Sequence, residues 1–480
     1  MKLASSRHSF PSALSLRSES PRPMTQSRWM LAVVFALAVC LCDPLRAELF
    51  QRLPLEPPEP FPAERQDSSR RLELQENQNT GPLASLEPAA SAVPLTYALS
   101  DFEGLALALN PAMQESLSRI EAAKGRAMQA SLPPNPSIGY LGNEIGNEGS
   151  PGQHGAFWRR QFVRGGKLEL SHAVACREVQ RLHQEYYILR ERILTDVRTA
   201  FYELVLLQRR MELLNRILET NIRATKIAQR LFEVGENTKN DVLLLELEAE
   251  QTSTDIIAIE AMRLAKWRSM SRLVGQTELE SGPLQEPTKA FEIAWEEALA
   301  LMQQSPQLAS VNAEIARNRA TLARASAESI PNLNAQVSFQ YDFATSDTFA
   351  GVQLGMPIPK LNRNQGAIYE ANANVRAALQ KAERTRLAIE RNLADKYGVY
   401  DQAKRQLQQI DSVIVPKAEE VVRIALGAYE AGEASLADVL NAQRSLLRSL
   451  LRQLDAKQQR RLSYVAMRGF LLSDGLTTNQ

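Results

Sequence analysis

The sequence predicts a mainly α-helical chain with a β portion, in which a unit of helix, β-hairpin and long helix is made twice. Three observations lead there. The stretch Leu231-Phe232-Glu233-Val234-Gly235-Glu236-Asn237-Thr238-Lys239-Asn240-Asp241-Val242-Leu243 returns, altered, as Ala428-Tyr429-Glu430-Ala431-Gly432-Glu433-Ala434-Ser435-Leu436-Ala437-Asp438-Val439-Leu440. Its two glycines are 197 residues apart, and so are Asp241 and Asp438. Each glycine ends a long helical periodicity, and each half also carries one segment that alternates with the period of a strand.

Composition excludes several function classes. With 56 basic against 55 acidic residues there is no electrostatic footprint for nucleic acid. Of the three cysteines, Cys40 and Cys42 sit in an N-terminal apolar run and Cys176 stands alone, so neither a disulfide framework nor a Cys/His metal site can be built. The four histidines, His8, His154, His172 and His183, have no metal-ligand spacing, and His172 and His183 read as helix-surface residues. No metal site and no cofactor are expected.

The chain opens with a secretory signal, residues 1–47: the apolar run Trp29 to Cys42 follows Arg22 and Arg28 and precedes Ala47, a plausible cleavage residue, with Met24 an alternative start. About 14 apolar residues fall short of the roughly 20 that span a bilayer as a helix. Val39 before Cys40 disfavours lipidation, because a small residue is wanted there. No other long apolar segment follows, so any membrane crossing falls to β-strands. Residues 48–98, with Pro57-Pro58-Glu59-Pro60, carry no apolar periodicity and read as a disordered Pro/Glu-rich leader.

The first repeat spans residues 99–280. A helix capped by Ser100 or Asp101 runs through Leu105, Leu109, Met113 and Leu117 to about Leu132, divided at Asn110-Pro111. Pro133-Pro134-Asn135-Pro136 stops it, and a hairpin follows over 137–163, with imperfect alternation. The second hairpin, 334–356, is cleaner: Ala335, Val337, Phe339, Tyr341 and Phe343 alternate with Asn334, Gln336, Ser338, Gln340 and Asp342. Strands of about 8 to 11 residues with one polar and one apolar face suit a barrel crossing a bilayer around a wet lumen. A soluble hairpin packed on a core would show the same pattern.

From Lys167 the pattern is helical to Val234, with Leu182, Tyr186, Leu189, Ile193, Val197, Ala200, Leu204, Leu207, Met211, Leu214 and Leu218 forming a coiled-coil seam. That helix, 167–234, would be about 100 Å long, and its counterpart, 367–431, about 97 Å with a kink at Pro416. Return helices are expected over 236–275 and 433–472, and a helix over 289–329 leads into the second hairpin. Each return helix should meet end-on a helix that leads into a hairpin, giving four columns, with the linker 281–288 at mid-length and a tail at 474–480. The second repeat, 289–473, matches the first outside the tips too: Asn110-Pro111 with Ser305-Pro306, Pro134-Asn135 with Pro331-Asn332, and Gly165-Gly166 with Asn364-Gln365-Gly366.

From about residue 96 to 473 these motifs together resemble the TolC-like outer-membrane factors of tripartite efflux pumps and type I secretion systems. The resemblance rests on Ser131 to Pro136, on Gln161-Phe162-Val163-Arg164-Gly165-Gly166-Lys167, on Pro357 to Gly366, on Val415-Pro416-Lys417-Ala418-Glu419 and on the two tips. It implies a homotrimer in which four strands from each protomer make a 12-stranded transmembrane β-barrel, continued by a long periplasmic α-helical barrel. It implies an exit duct in the outer membrane, in contact with its lipid, a periplasmic adaptor and an inner-membrane RND or ABC pump. The Asn/Gly form of the second junction looks most like the branch serving heavy-metal exporters. A type I secretion duct is the alternative within the family, and a periplasmic coiled-coil scaffold the alternative outside it.

A conduit needs no reaction, and no nucleophile constellation or phosphate loop is present; an enzyme is not expected. Gly165-Gly166 serves the turn from strand to helix. Gly235 and Gly432 should stop their helices with positive φ. The resemblance adds that the tips, Val234-Gly235-Glu236 and Ala431-Gly432-Glu433, dock the adaptor. It further implies that Asp241 and Asp438 match an acidic ring near the aperture and that Tyr429 matches a tyrosine holding the gate closed. Ala434 stands where the family pattern has an arginine, and Asn441 where it has a second acid. Asp241 and Asp438 also sit where residues capping the returning helices would sit.

Overall fold

The computed structural model describes residues 96–146, 149, 151–277, 279–286, 291–431 and 433–475. The signal, nearly all of the leader, Gly432 and the end of the tail lie outside them. The elements in order are α1 (Leu99–Leu109), α2 (Pro111–Ser131), β1 (Ser137–Asn143), β2 (Gln153–Phe162), α3 (Lys167–Glu233), α4 (Lys239–Leu273), α5 (Trp295–Gln303), α6 (Pro306–Ala327), β3 (Leu333–Asp342), β4 (Asp347–Gly355), α7 (Gln365–Gln409), a π-helical turn (Ile410–Ile414), α8 (Val415–Glu430) and α9 (Leu436–Arg468).

Helix α3 runs 67 residues without a break, which at 1.5 Å per residue is about 100 Å. It packs against α2 and α6 towards the strands and against α4 towards the tip; in the second repeat α7 packs against both α6 and α9. The leading and returning helices meet where the prolines divide them. Asn110 accepts from Ala112 N–H through its side chain, which lets Pro111 open α2, and donates from Nδ2 to Leu273 O at 2.9 Å, fastening the end of α4 to that break. Gly275 lies so close to the Leu109 carbonyl that a Cβ would come within 2.6 Å of it, and its φ is +80°.

The core lies at this level. Tyr97, Phe102, Phe201 and Trp267 pack ring on ring at centroid distances of 5.4–6.0 Å, around fully buried Met270 and Val274. Residues 281–286 are not a free linker. Tyr97 and Leu284 form a parallel bridge, with Tyr97 N–H donating to Pro283 O at 3.0 Å. Glu286 then accepts from Arg209 on α3 at 2.9 Å and from Arg461 on α9, joining both repeats. Tyr400 donates to Phe291 O at 3.0 Å and binds a second extended segment to α7.

The four strands form one antiparallel sheet in the order β1-β2-β3-β4. Its register explains the imperfect alternation of the first hairpin. Because paired residues share a face, Ile138 and Tyr140, Trp158, Val337 and Phe339, and Val352 and Leu354 line one face. Ser137 and Asn143, Arg159, Gln336, Gln340 and Gln353 line the other. Gly139 breaks the pattern because its partner Phe157 lays a ring over it; a Cβ there would meet that ring at 2.6 Å. Among the described residues no helix is long and apolar enough to cross a membrane.

Several expectations need correction. The helix expected over 289–329 is two, α5 and α6, with Ser305 capping the second at Pro306. The return helices are α4 (239–273) and α9 (436–468), shorter than 236–275 and 433–472, because capping turns occupy their first residues. The long helix expected over 367–431 starts at Gln365 and passes through the π-turn before Pro416, where the wider turn accommodates the missing N–H. Ala98 is the N-cap of α1, with Asp101 in its first turn accepting from Ala98 N–H at 2.8 Å. Asn364, at φ +62°, does what Gly166 does at φ +64°, whereas Gly366 lies inside α7. His172 and His183 are half-buried rather than on the surface.

The hairpin tips as candidate functional site

At the first tip α3 ends in a Schellman turn. Glu236 N–H donates to Leu231 O at 2.9 Å and Gly235 N–H to Phe232 O at 3.0 Å, with Gly235 at φ +80°. Nothing lies within 4 Å of where a Gly235 Cβ would sit, so the backbone conformation, not space, selects glycine. At the second tip Glu433 N–H donates to Ala428 O at 2.8 Å, the same bond 197 residues on; Gly432 itself lies outside the described residues. Val234 is 70% exposed, and Phe232, Ile227, Leu243 and Leu247 also expose apolar surface near the tip.

Asp241 and Asp438 both close capping boxes. Thr238 Oγ1 accepts from Asp241 N–H at 3.2 Å, while the Asp241 carboxylate accepts from the Thr238 hydroxyl at 2.6 Å and its N–H at 3.3 Å. Ser435 and Asp438 repeat this at 3.3, 2.7 and 3.1 Å. The Ser435 hydroxyl, followed by its backbone N–H, holds the Asp438 carboxyl below the usual aspartate range. Sequence reasoning placed the aspartates as caps but missed Thr238 and Ser435; the Ser/Thr-x-x-Asp spacing was the available signal.

The two tips pack on each other through Ala228, Val242 and Leu245 of the first repeat and Leu436 and Leu440 of the second, with half-buried Tyr429 against them. About one turn further along, Arg444 of α9 donates from both Nε, at 2.8 Å, and Nη2 to one oxygen of Glu248 on α4. Glu248 is 14% exposed and Arg444 40%. This bond raises the Arg444 pKa still further. No local spacing announces the pair, because it depends on how the two hairpins lie together. Among the described residues no cluster of three or more His, Cys, Asp or Glu could hold a metal.

A two-faced, four-stranded sheet with two open edges, joined to long packed helices that end in paired tips, is the architecture of an outer-membrane channel protein. The pattern of the Outer membrane efflux protein family matches residues 104–276 and 299–471, and the chain belongs to that family. It is thus a TolC-like outer-membrane channel of a tripartite efflux system, with its helical portion in the periplasm. It is 23% identical over 369 residues, 76% of this chain and 87% of the relative, to the cobalt-zinc-cadmium resistance protein CzcC of Cupriavidus metallidurans. Its fold is similar to a solved membrane protein of Pseudomonas aeruginosa (TM-score 0.65, 18% identity, 78% of this chain and 93% of the other). CusC gives the same score at 13% identity, over 79% and 93% of the two chains.

Proposed function

We propose that three copies close their sheets into one twelve-stranded barrel, and that the tips form both its periplasmic gate and the docking site for a periplasmic adaptor joined to an inner-membrane pump. The observation that carries this reading is the sheet: one face apolar except for Arg160 at its helix end and His154 and Thr348 at its turn end, the other mostly polar, with β1 and β4 unpaired on their outer sides. In lipid each unsatisfied backbone group costs several kcal/mol, so the edges must be closed by further strands. Aromatic contacts of His154 and Tyr341 with Phe343, near the turn end of the apolar face, suit a membrane interface.

The exposed Val234 and Phe232 offer an adaptor apolar contact, and Glu236 and Glu433 flank it with charge. Adaptor contact would favour an open arrangement of the hairpins only by binding it better than the closed one. The likeness to CzcC supports divalent metal cations as cargo, ahead of a secreted protein. Single-channel recording in planar bilayers tests the reading: the purified protein should conduct, and Asp241→Ala with Asp438→Ala should weaken block by added divalent cations. A protein that never conducts, or variants blocked like the parent, would count against the channel and the acidic gate respectively. Copurification of an RND or an ABC pump decides which system it serves.

A further inference from the structure

The register sorts the polar face of the sheet into layers, and the charges in those layers are segregated. Nearest the helices but one, Ser137, Arg159, Gln336 and Gln353 stand side by side. At the turn end the layer is Asn143, Gln153, Asp342 and Asp347, with the two aspartates directly paired. Between them lie glycines, Leu141, Phe157, Phe349, Ser338 and Gln340, and no charge. Six residues along β3 separate the charged layers, about 20 Å.

Arg159 is held in place rather than left to drift. Its Nε and Nη2 donate to Gln336 Oε1 at 2.9 and 2.7 Å, and its guanidinium stacks over the Phe157 ring at 5.1 Å. Phe157 in turn is seated on Gly139. The guanidinium is exposed on the polar face, and no carboxylate shares its layer.

We propose that Arg159 is a selectivity-determining residue of the conduction path. Resting on the reading that three copies close one barrel, three guanidiniums would ring the lumen near its helix end and favour anions over cations there, opposite in sign to the six carboxylates at the turn end. Rings of charged side chains set ion preference in this way. The screening length is roughly 8 Å at physiological salt and 30 Å at 0.01 M. The rings therefore act separately in the first condition and couple across the 20 Å gap in the second.

The test is the reversal potential of purified channels in planar bilayers under a KCl gradient. Arg159→Gln should raise the potassium-to-chloride permeability ratio, Arg159→Lys should keep the parent's ratio, and the pair Asp342→Asn with Asp347→Asn should lower it. The Arg159→Gln shift should be several-fold near 0.01 M and fade towards 1 M, where the screening length is about 3 Å. A substitution that merely disturbed packing would not follow that salt dependence. Arg159→Met, which keeps an unbranched stem over Phe157, replaces Arg159→Gln if the latter does not assemble. Conducting channels whose ratio is unmoved by loss of the guanidinium would overturn the proposal. Parent protein that does not conduct would instead remove the barrel on which it rests.

Discussion

Thr238 and Ser435 carry little chemistry, yet each sets the first turn of the helix that returns from a tip. Replacing an N-cap hydroxyl by alanine costs about 1 kcal/mol. Thr238→Ala should therefore speed amide exchange in the first turns of α4 without changing the core. Gly235→Ala should cost about 1–2 kcal/mol through its left-handed conformation alone, read as easier proteolysis at that tip. The Asp438 cap gives a pH signature. Its carboxyl is held below the ordinary aspartate value by Ser435, so its contribution is in force above the unfolded-state pKa, about 3.9, and is lost as pH falls through the lower folded-state value. Protection of the first turn of α9 should persist from neutral pH down past that range and fail only in stronger acid. Asp438→Asn should abolish that acid transition; a loss of protection between pH 5 and 7 would contradict the assignment.

At the scale of elements, the return helices of the two repeats are joined by Arg444 and Glu248 as well as by the apolar tip cluster. With Arg444 two-fifths exposed, solvent screening limits the pair to about 1 kcal/mol. A double-mutant cycle of Arg444→Ala and Glu248→Ala, followed by amide exchange at both tips, should show that coupling and its weakening in high salt. The mid-length core is worth more: Phe102→Ala or Trp267→Ala should cost about 3–5 kcal/mol and lower the melting temperature markedly. Elements with a strong period were legible in the sequence, including α3, β3 and both tips. Others were not, for physical reasons. The first hairpin hides its alternation because glycines and Phe157 interrupt the polar face, and only pairing with β3, far along the chain, reveals the layers. Tyr97 and Leu284 join the core in extended backbone with no periodicity to betray them.

For the whole molecule, duplication supplies the same architecture twice: two hairpins make a four-stranded sheet, and two pairs of helices make the columns below it. What the chain leaves undone is informative, since the sheet's apolar face and its two edges need company that a single copy does not provide. The candidate site at the tips was legible only in part. The glycines and aspartates declared the tips in the sequence, whereas Arg444–Glu248 emerges only once both hairpins are in place. The central claim is that three copies close one barrel, and native mass spectrometry of the detergent-purified mature protein tests it most directly. A mass of three chains, resolving to one only on heating or detergent stripping, is the predicted result; a stable single chain under the same mild conditions would contradict it.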